Sequence, residues 1–496
     1  MNQILSQSEV DALLAAVTDG DVKTAEKILP ILKKNNNRIV FVKENFEYHQ
    51  YSERNVYSEI IEGIKRGEMF STQHSECMKD AWETKRIGKA NPEIEDEEWK
   101  LEYDSESEDE NKSAFNRRKT EVVKVPVTGE ITGDLTVSKT YAYGNYTLKG
   151  FAKVASGVTI TFEAGSTITA DKTDGDDAFV ILNGGKLIAV GTATEPIVFT
   201  EKSKTAGSWG GIIMYGDAPI VNSATAAAPQ TATSEDGLSL PYGGSNTTHN
   251  GGTLKYVRVE YAGQVITQNS KEQNGFSFYS VGSGTTLENL VSYKGNDDGF
   301  EFYGGTVSLK NSISYGNSDD AFDWQDGWRG QDNTNWYAYQ EGVANYGLEV
   351  EAKSVNNAFW PKVTNITLKR AAGTATEAQS EIQLDAIQFK KEGNGDYSNI
   401  IIDGYKNQTT PTAKNGGAIQ ILDLTTYNNQ VVGGKIKLTN VTITNTDNLF
   451  ISGASTFTVA AGSFLPTTNW ATSTTATGAA LTNGAWSTVN GATLIK

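Results

Sequence analysis

The chain has 496 residues and a formal net charge of −17, which argues against a nucleic-acid backbone as partner because phosphate binding relies on Lys and Arg. Its single cysteine, Cys77, excludes an intrachain disulfide, and its three histidines, His49, His74 and His249, are too scattered for a metal site. No apolar run is long enough to span a membrane, and residues 1–10 lack the basic start and apolar core of a secretory signal.

The composition changes near residue 120. Residues 1–120 carry 18 Lys+Arg and 25 Asp+Glu, whereas the other 376 residues carry 25 and 35 and are polar, β-branched and rich in glycine. The change predicts four regions: an amphipathic helical peptide with its connector over 1–34, a small α/β module over 35–92, an acidic linker over 93–120, and a parallel β-helix with a C-terminal cap over 121–496. The acidic run of the linker repels itself, so we expect it to be extended.

The first predicted element is a short amphipathic helix, ILSQSEVDALLAAV at 4–17. Ser6 is placed to cap its first turn, and Glu9, three residues on, completes a capping box. Leu5 and Val10 are spaced as a hydrophobic staple around that cap.

The string LSQSEVDALL resembles the N-terminal peptide of the flagellar motor switch protein. In that family the peptide docks as a helix on the phosphorylated chemotaxis response regulator. The resemblance implies a partner-binding face formed by Leu5, Ser6, Gln7, Val10, Asp11, Leu13 and Leu14. The alternative is a capped helix that packs on its own domain.

The second element is the small α/β module. RIVFVKENFEY at 38–48 predicts a strand, and NVYSEIIEGIKRGEMF at 55–70 predicts a helix with one apolar side. No family is evident for this module, and a capsid- or baseplate-binding adaptor is one interpretation.

From about Val122 the pattern changes to short apolar strands broken by Gly, Asn and Asp. Examples are the segments 157–170, 178–192, 196–200 and 210–220. Alternation within each segment places one side inward. The pattern predicts a mainly β fold, a right-handed parallel β-helix with about 20–25 residues per coil. Inward side chains should stack as ladders, and asparagines at bends should pair their amides between coils.

A repeat marks adjacent coils. VSYKGNDDGFEF at 291–302 recurs without a gap as ISYGNSDDAFDW at 313–324. The alignment pairs Phe300 with Phe322 and Asp298 with Asp320, so we expect each pair to lie one coil apart. A weaker copy, NGFSF at 274–278, comes one turn earlier.

Residues 121–496 resemble a family of secreted or surface β-helix proteins of Bacteroidota and other marine bacteria. The resemblance rests on strings in a common order: GVTITFEAGSTI, AFVILNGGKLIAVGTATEPIVFT, SWGGIIMYGDAPI, YGGSNTTHNGGTLKYVRVEYAG and VGSGTTLENLVSYKGNDDGFEFYGGTVSLKN. It implies an extracellular setting and no established catalytic residues. The N-terminal peptide, in contrast, is of a cytoplasmic type, so the compartment stays open and a fusion of two unlike parts is an alternative.

The repeat also predicts a carboxylate cluster on adjacent coils, formed by Asp297, Asp298, Glu301, Asp319, Asp320 and Asp323. Three interpretations compete. Aspartates at bends cap backbone amides, stacked carboxylates bind Ca²⁺, and paired carboxylates act as acid and base on a glycosidic bond. DDAF at 176–179 suggests a third acidic bend at Asp176 and Asp177.

The aromatic residues beside this repeat are candidate sugar-binding groups. Exposed faces of Trp324, Trp328, Trp336 and Tyr337 are expected to stack on sugar rings. The candidate catalytic groups are Asp298 and Asp320 together with Arg329, the only arginine near the repeat.

The predicted function is that of a noncatalytic extracellular or surface protein for adhesion or glycan binding, with Ca²⁺ as a candidate cofactor. One alternative is a polysaccharide lyase or hydrolase, or a phage tailspike-like depolymerase. The absence of histidine after His249 disfavours the histidine-dependent forms of that chemistry. A second alternative is a fusion protein whose peptide binds a response regulator.

Overall fold

The computed structural model describes residues 125–496, except residues 224, 268–270, 354–359, 377–383 and 410–412. The chain divides into two units, Met1–Val127 and Thr128–Lys496. The predicted helix over 4–17, the α/β module over 35–92 and the acidic linker lie outside the described residues and stay predictions.

The regular secondary structure of the described residues in the second unit is almost entirely short strands. Strands β1 to β10 are Val127–Leu135, Lys139–Tyr141, Gly144–Val154, Thr159–Phe162, Thr167–Ala170, Ala178–Ile181, Lys186–Val190, Ile197–Glu201, Ile212–Tyr215 and Ala232–Thr233. Strands β11 to β20 are Pro241–Tyr242, Gly252–Glu260, Val265–Thr267, Lys271–Glu272, Phe276–Tyr279, Thr286–Tyr293, Phe300–Tyr303, Leu309–Tyr315, Phe322–Gln325 and Asn333–Gln340. Strands β21 to β30 are Leu348–Glu351, Lys362–Arg370, Leu384–Lys390, Gly395–Asp403, Gly416–Ile421, Ile436–Thr444, Asn448–Ser452, Trp470–Thr472, Thr488–Val489 and Ala492–Thr493.

Helical segments in the described part are single turns. They are α1 (Leu424–Thr426), a π-helical turn at Tyr427–Val431, and 3₁₀ turns at Lys172–Asp174, Ala461–Ser463, Thr467–Asn469 and Ala485–Ser487. None of these helices is long and apolar enough to cross a membrane.

Twenty-four of the described strands form one continuous sheet, and they pair in parallel with strands one coil before and one coil after. One series is β6, β9, β15, β17, β19, β21, β23, β25 and β27, which we call the first face. A second series completes the later coils. It consists of the longer strands β12, β16, β18, β20, β22, β24 and β26. Parallel crossovers of this kind are right-handed, and the predicted right-handed parallel β-helix is confirmed.

The longer strands after β12 turn a corner at an asparagine, whereas in β12 the corner residue is Tyr256. The corner residues Asn311, Asn335, Asn365, Asn399 and Asn440 all have a left-handed φ, between 54° and 61°. Asparagine tolerates this conformation because its short polar side chain bonds locally. The amide of Asn399 donates to Oδ1 of Asn365 at 2.6 Å, and the amide of Asn440 donates to Oδ1 of Asn399 at 3.0 Å. The predicted pairing of asparagine amides between coils is therefore present.

The interior of the β-helix is built from stacked inward side chains. The ring centroids of Phe276 and Phe300 lie 5.0 Å apart, and those of Phe300 and Phe322 lie 5.2 Å apart with nearly parallel planes. Phe322 then stacks on Trp336 at 4.6 Å. Such aromatic pairs add about 0.5–1.5 kcal/mol each beyond the area they bury. The repeat predicted this one-coil spacing correctly.

A segment between β9 and β12 packs over the outward side of the first face. We call residues 217–250 the covering segment; it contains the hairpin of β10 and β11. Its Ile220 and Tyr242 join an apolar cluster with Val180, Tyr215 and Tyr279 of the first face. The outward side chains of these coils are buried for that reason.

The C-terminal residues cover part of the longer strands in the same way. Trp486, Val489 and Leu494 pack against Val291 and Ile313. The end of the chain thus shields an apolar surface that the coils leave open.

Candidate functional site

The first face carries a ladder of outward polar side chains. Parallel register aligns Ser277 with Glu301, Glu301 with Asp323, Asp323 with Glu349, and Glu349 with Gln388. Adjacent strands lie about 4.8 Å apart. Three carboxylates therefore occupy three consecutive rungs.

This ladder lines the floor of a cleft with a volume of about 390 Å³. Nine carboxylates surround it, those of Glu235, Asp297, Asp298, Glu301, Asp319, Asp320, Asp323, Glu349 and Glu351. Three lysines, Lys353, Lys390 and Lys391, line it together with Asn274, Tyr303 and Gln325. The six carboxylates that the repeat predicted all reach this cleft.

Two of the aspartates also cap the bends that precede β19 and β21. The backbone N–H of Asp320 donates to Oδ1 of Asp298 at 2.8 Å, and the N–H of Tyr346 donates to Oδ1 of Asp320 at 2.6 Å. Burial and the charge of Asp320 raise the pKa of Asp298 well above its usual value. The turn-capping interpretation is thus correct for these two residues, and both remain part of the cleft.

Glu301 is the best-bonded carboxylate of the ladder. It accepts hydrogen bonds from the amides of Asn274 at 2.6 Å and Gln325 at 3.1 Å, and from the Tyr303 hydroxyl. Burial, with the charge of Glu235, raises the pKa of Glu301 to about 8. A large fraction of this carboxyl is therefore protonated at neutral pH when no cation is bound.

Asp323, one rung further, is poorly bonded. Its residue is 8% exposed, and its buried Oδ1 has no hydrogen-bond partner. Burial and the charge of Glu349 raise its pKa well above the ordinary range. A buried oxygen without a hydrogen-bond partner costs free energy. Its presence in a polar cleft therefore marks a position suited to a ligand.

Three lysines also line the cleft, and each is paired with a carboxylate. Lys390 Nζ lies 2.6 Å from Glu349, Lys391 Nζ lies 2.8 Å from Glu351, and Lys353 Nζ lies 2.8 Å from Asp326. Burial alone would lower the pKa of Lys390, but the charges of Glu349 and Asp323 outweigh burial and raise it. For Lys353, burial is likewise outweighed by the charge of Asp326, which raises its pKa, so Lys353 and Lys390 stay protonated in these ion pairs.

Two groups of carboxylates have the spacing of metal ligands. One oxygen from each of Asp298, Glu301 and Asp323 lies within 4.8 Å of the others, and the same holds for Asp297, Asp298 and Asp319. Carboxylate oxygens are the ligands that Ca²⁺ prefers, at 2.3–2.6 Å. The donor set therefore fits the candidate cofactor.

The expectation of exposed aromatic faces is wrong. Trp324, Trp328, Trp336 and Tyr337 are between 0% and 2% exposed. Alternation turns Trp324 inward, Trp328 stacks on Phe302 at 4.6 Å, and the indole N–H of Trp336 donates to the Leu309 carbonyl. Tyr337 faces outward but is covered by the C-terminal residues, with its hydroxyl bonded to the Lys496 carbonyl. These rings are core residues and offer no face to a sugar.

The expectation that Arg329 acts with Asp298 and Asp320 is also wrong. Arg329 follows the next bend, where its Nε donates to the Gly327 carbonyl at 3.2 Å, and it is not among the residues that line the cleft. The cations of the cleft are lysines instead. Asp177 lies at the bend before β6, at the position that corresponds to Asp298 in a later coil, and it caps the N–H groups of Gly150 and Asp171.

The sequence reasoning missed Glu235, Glu349, Glu351 and the three lysines. Glu235 comes from the covering segment, and no repeat relates it to the other acidic residues. EVEAK at 349–353 does indicate a further part of the site, because its alternating charged residues continue the carboxylate ladder of β17 and β19. This continuation is recognised from the register of the strands, since the sequences themselves are not alike.

The protein is therefore a β-solenoid, a parallel β-helix with a carboxylate-lined cleft on one face. A family model described as the pectate-lyase-like beta helix domain matches residues 129–489, and the chain belongs to that family. The comparison with curated proteins gives no match. The finer resemblances, to Bacteroidota surface proteins and to the flagellar switch peptide, stay predictions.

Proposed function

We propose that this is a noncatalytic β-helix protein, outside the cell or on its surface, that binds a polysaccharide in the acidic cleft with Ca²⁺ as a bridge. The observation that carries the proposal is the buried Oδ1 of Asp323, which lacks a partner at the centre of the carboxylate ladder. A bound cation would give this oxygen its partner and relieve the repulsion among its neighbours.

The number of carboxylates favours Ca²⁺ over Mg²⁺. Ca²⁺ takes six to eight oxygen ligands in flexible geometry, whereas Mg²⁺ keeps several waters and is held by only one or two carboxylates. Nine carboxylates line this cleft.

A polysaccharide suits this cleft because recognition there is polar. Sugar hydroxyls can bond to the lysines and carboxylates of the walls and complete the coordination of a bound Ca²⁺. Since Trp324, Trp328 and Trp336 are buried, the proposed recognition does not rely on aromatic stacking. Membership of the pectate-lyase-like family supports a polysaccharide partner.

The protonation of two lysines in the cleft favours binding over cleavage. Catalysis requires an acid and a base that are jointly placed on the substrate. Lys353 and Lys390 are held protonated by ion pairs, which leaves them unsuited to accept a proton.

A polysaccharide lyase or hydrolase is the second candidate. Glu301 favours it, because a carboxyl with a pKa of about 8 is suited to proton transfer near neutral pH. Release of reducing ends or of unsaturated uronic-acid ends from a polysaccharide would support this candidate over simple binding.

The test is a glycan array with the full chain, followed by calorimetry on each hit with Ca²⁺ or with a chelator. We expect binding to require Ca²⁺ and to fall at least tenfold in Asp323→Asn. The matched control is Asp332→Asn, because Asp332 is an exposed residue outside the cleft, paired with Lys310. Glycan binding that is unchanged by the chelator, or equal in both variants, would refute the proposal.

The response regulator remains a separate proposed partner. Residues 4–17 lie outside the described part of the chain, so the proposal rests on the sequence resemblance alone. A pull-down with the phosphorylated regulator should succeed with the parent chain and fail when Leu13 and Leu14 are both changed to Ala.

A further inference from the structure

The ladder of the first face continues beyond the acidic cleft in both directions. The carboxylates of Glu301, Asp323 and Glu349 occupy the three rungs that line the cleft. Ser277 of β15 occupies the rung before them, and Gln388 of β23 occupies the rung after them. Solenoids can present extended binding surfaces, so the two neighbouring rungs determine how long a ligand this cleft can hold.

The covering segment closes the end of the cleft toward the earlier coils. Ser277 is fully buried, and Ile213, one rung earlier, packs in the apolar cluster beneath the covering segment. Glu235 of the covering segment lines the cleft and accepts a hydrogen bond from the Gln325 amide at 3.2 Å. A glycan that lies along the ladder would therefore have to displace the covering segment to continue in this direction.

The covering segment is held firmly at this boundary. The Tyr242 hydroxyl donates a hydrogen bond to Asp326, a buried carboxylate that also pairs with Lys353 at 2.8 Å. The ring of Tyr242 packs on Tyr279 and Tyr303, with centroid distances of 5.0 Å and 6.2 Å. Displacing the segment would remove a donor from a buried carboxylate and expose aromatic surface, and both changes cost free energy.

The opposite end of the ladder is closed as well. Gln388, in the rung after Glu349, is fully buried, and its amide donates to Oε1 of Gln420, which is buried in the following rung. Lys390, the next outward residue of β23, has its Nζ 2.6 Å from Glu349. The two glutamines thus offer no open surface to a ligand, and the cleft ends at Lys390.

The length between these two limits is short. The three rungs span two strand spacings, which is about 10 Å for strands about 4.8 Å apart. The cleft has a volume of about 390 Å³, near the lower end of the range of about 300–1,000 Å³ that small-ligand sites cover. A space of this size holds about two or three sugar rings.

We infer that the cleft recognises a short glycan segment of about two or three sugars, and that further sugars along the ladder add nothing to binding. The inference rests on the proposed function and refines it, because it gives the length of the recognised unit. The middle rung is the centre of that segment, since the buried Oδ1 of Asp323 has no hydrogen-bond partner there.

Calorimetry with oligosaccharides of increasing length tests the inference. The probes are oligomers of pectate, alginate and xylan, from the disaccharide to the octasaccharide, titrated into the full chain in the presence of Ca²⁺. We expect affinity to rise up to the trisaccharide and then to stay within about threefold, after correction for the number of equivalent positions along each chain. A corrected affinity that rises at least tenfold from trisaccharide to octasaccharide would overturn the inference.

Two variants show whether the long and short oligomers share the cleft. Asp323→Asn should weaken the trisaccharide and the octasaccharide by the same factor, at least tenfold, because both occupy the same three rungs. The control Asp332→Asn, at an exposed residue outside the cleft, should weaken neither. An octasaccharide that keeps its affinity in Asp323→Asn while the trisaccharide loses it would bind outside these rungs and would contradict the inference.

The outcomes separate this inference from the proposed function. Affinity that continues to increase with length would overturn the short segment and leave glycan binding intact, whereas failure of every oligomer to bind would overturn both. Hydrogen exchange gives a second readout. The bound octasaccharide should slow exchange at the bends before β17 and β19 and leave β25 and β27 unchanged; slower exchange in β25 and β27 would contradict the inference.

Discussion

The first face has two stretches that share one backbone and differ in chemistry. In β6 and β9 the outward side chains at the ladder position are Val180 and Ile213, and the covering segment buries them. In β17, β19 and β21 the same ladder position carries Glu301, Asp323 and Glu349. The comparison shows that the coil determines the position of a side chain. The chemistry of that side chain then determines whether another part of the protein or a ligand packs over it.

The boundary between the two stretches is itself bonded. The hydroxyl of Tyr242, in the covering segment, donates a hydrogen bond to Asp326, which is also paired with Lys353. The Gln325 amide donates to Glu235 of the covering segment at 3.2 Å and to Glu301 at 3.1 Å. The edge of the covering segment therefore forms one wall of the cleft.

The largest expected effect lies in the interior that both stretches share. Phe322→Ala should lower the free energy of unfolding by about 3–5 kcal/mol, because it leaves a cavity between Phe300 and Trp336. Urea unfolding measures this loss. Val137→Ala, at a side chain that is 75% exposed, is the control and should change little. Equal stability of the two variants would contradict the stacked core.

The acidic stretch should be stabilised by Ca²⁺. At a free concentration one hundred times its Kd, one bound ion adds about 2.7 kcal/mol to the free energy of unfolding. We expect a smaller gain in Asp323→Asn and the full gain in Asp332→Asn, both followed as the shift in melting temperature. A shift that is the same in both variants would place the calcium elsewhere.

The acidic stretch should also make stability depend on pH when calcium is absent. The pKa of Glu301 is raised from 4.5 to about 8, so its protonated form is favoured by the folded state. Stability should therefore fall as pH rises from about 4.5 to about 8, by about 1.4 kcal/mol for each unit of pKa difference at one group. Glu301→Gln should flatten the profile, and an unchanged slope in that variant would contradict this assignment.

The covered stretch depends on its hydroxyl bonds. Tyr215 donates to Asp236 and lies 2.9 Å from the Ser234 hydroxyl. Tyr215→Phe should cost about 1–2 kcal/mol, because one buried oxygen of Asp236 loses its donor. Hydrogen exchange of residues 232–242 should increase more than that of β17 and β19. Equal exchange in both regions would show that the covering segment is held by packing alone.

The smallest effect is expected outside both stretches. The Lys310–Asp332 pair is exposed, and exposed pairs contribute about 0–1 kcal/mol. Asp332→Asn should change the free energy of unfolding by no more than about 0.5 kcal/mol, as measured by urea unfolding. A larger loss would disqualify it as the control variant.

Most of the β-helix could be predicted from local pattern. The pairing of Phe300 with Phe322 and of Asp298 with Asp320 followed from one repeat, because every coil places equal positions in register. The cleft was only half predictable. Glu235 and Lys390 enter it from a covering segment and a later coil whose spacing in sequence is irregular.

The sequence by itself determined the solenoid, its register and the six carboxylates of the repeat, since these depend on alternation and period alone. Only the tertiary structure decided exposure. Trp336 turned inward to stack on Phe322, Trp324 turned inward to stack on Tyr397, and Tyr337 was covered by the distant C-terminus. Burial depends on what packs on each side of a strand, and that information lies in contacts between residues far apart in the chain.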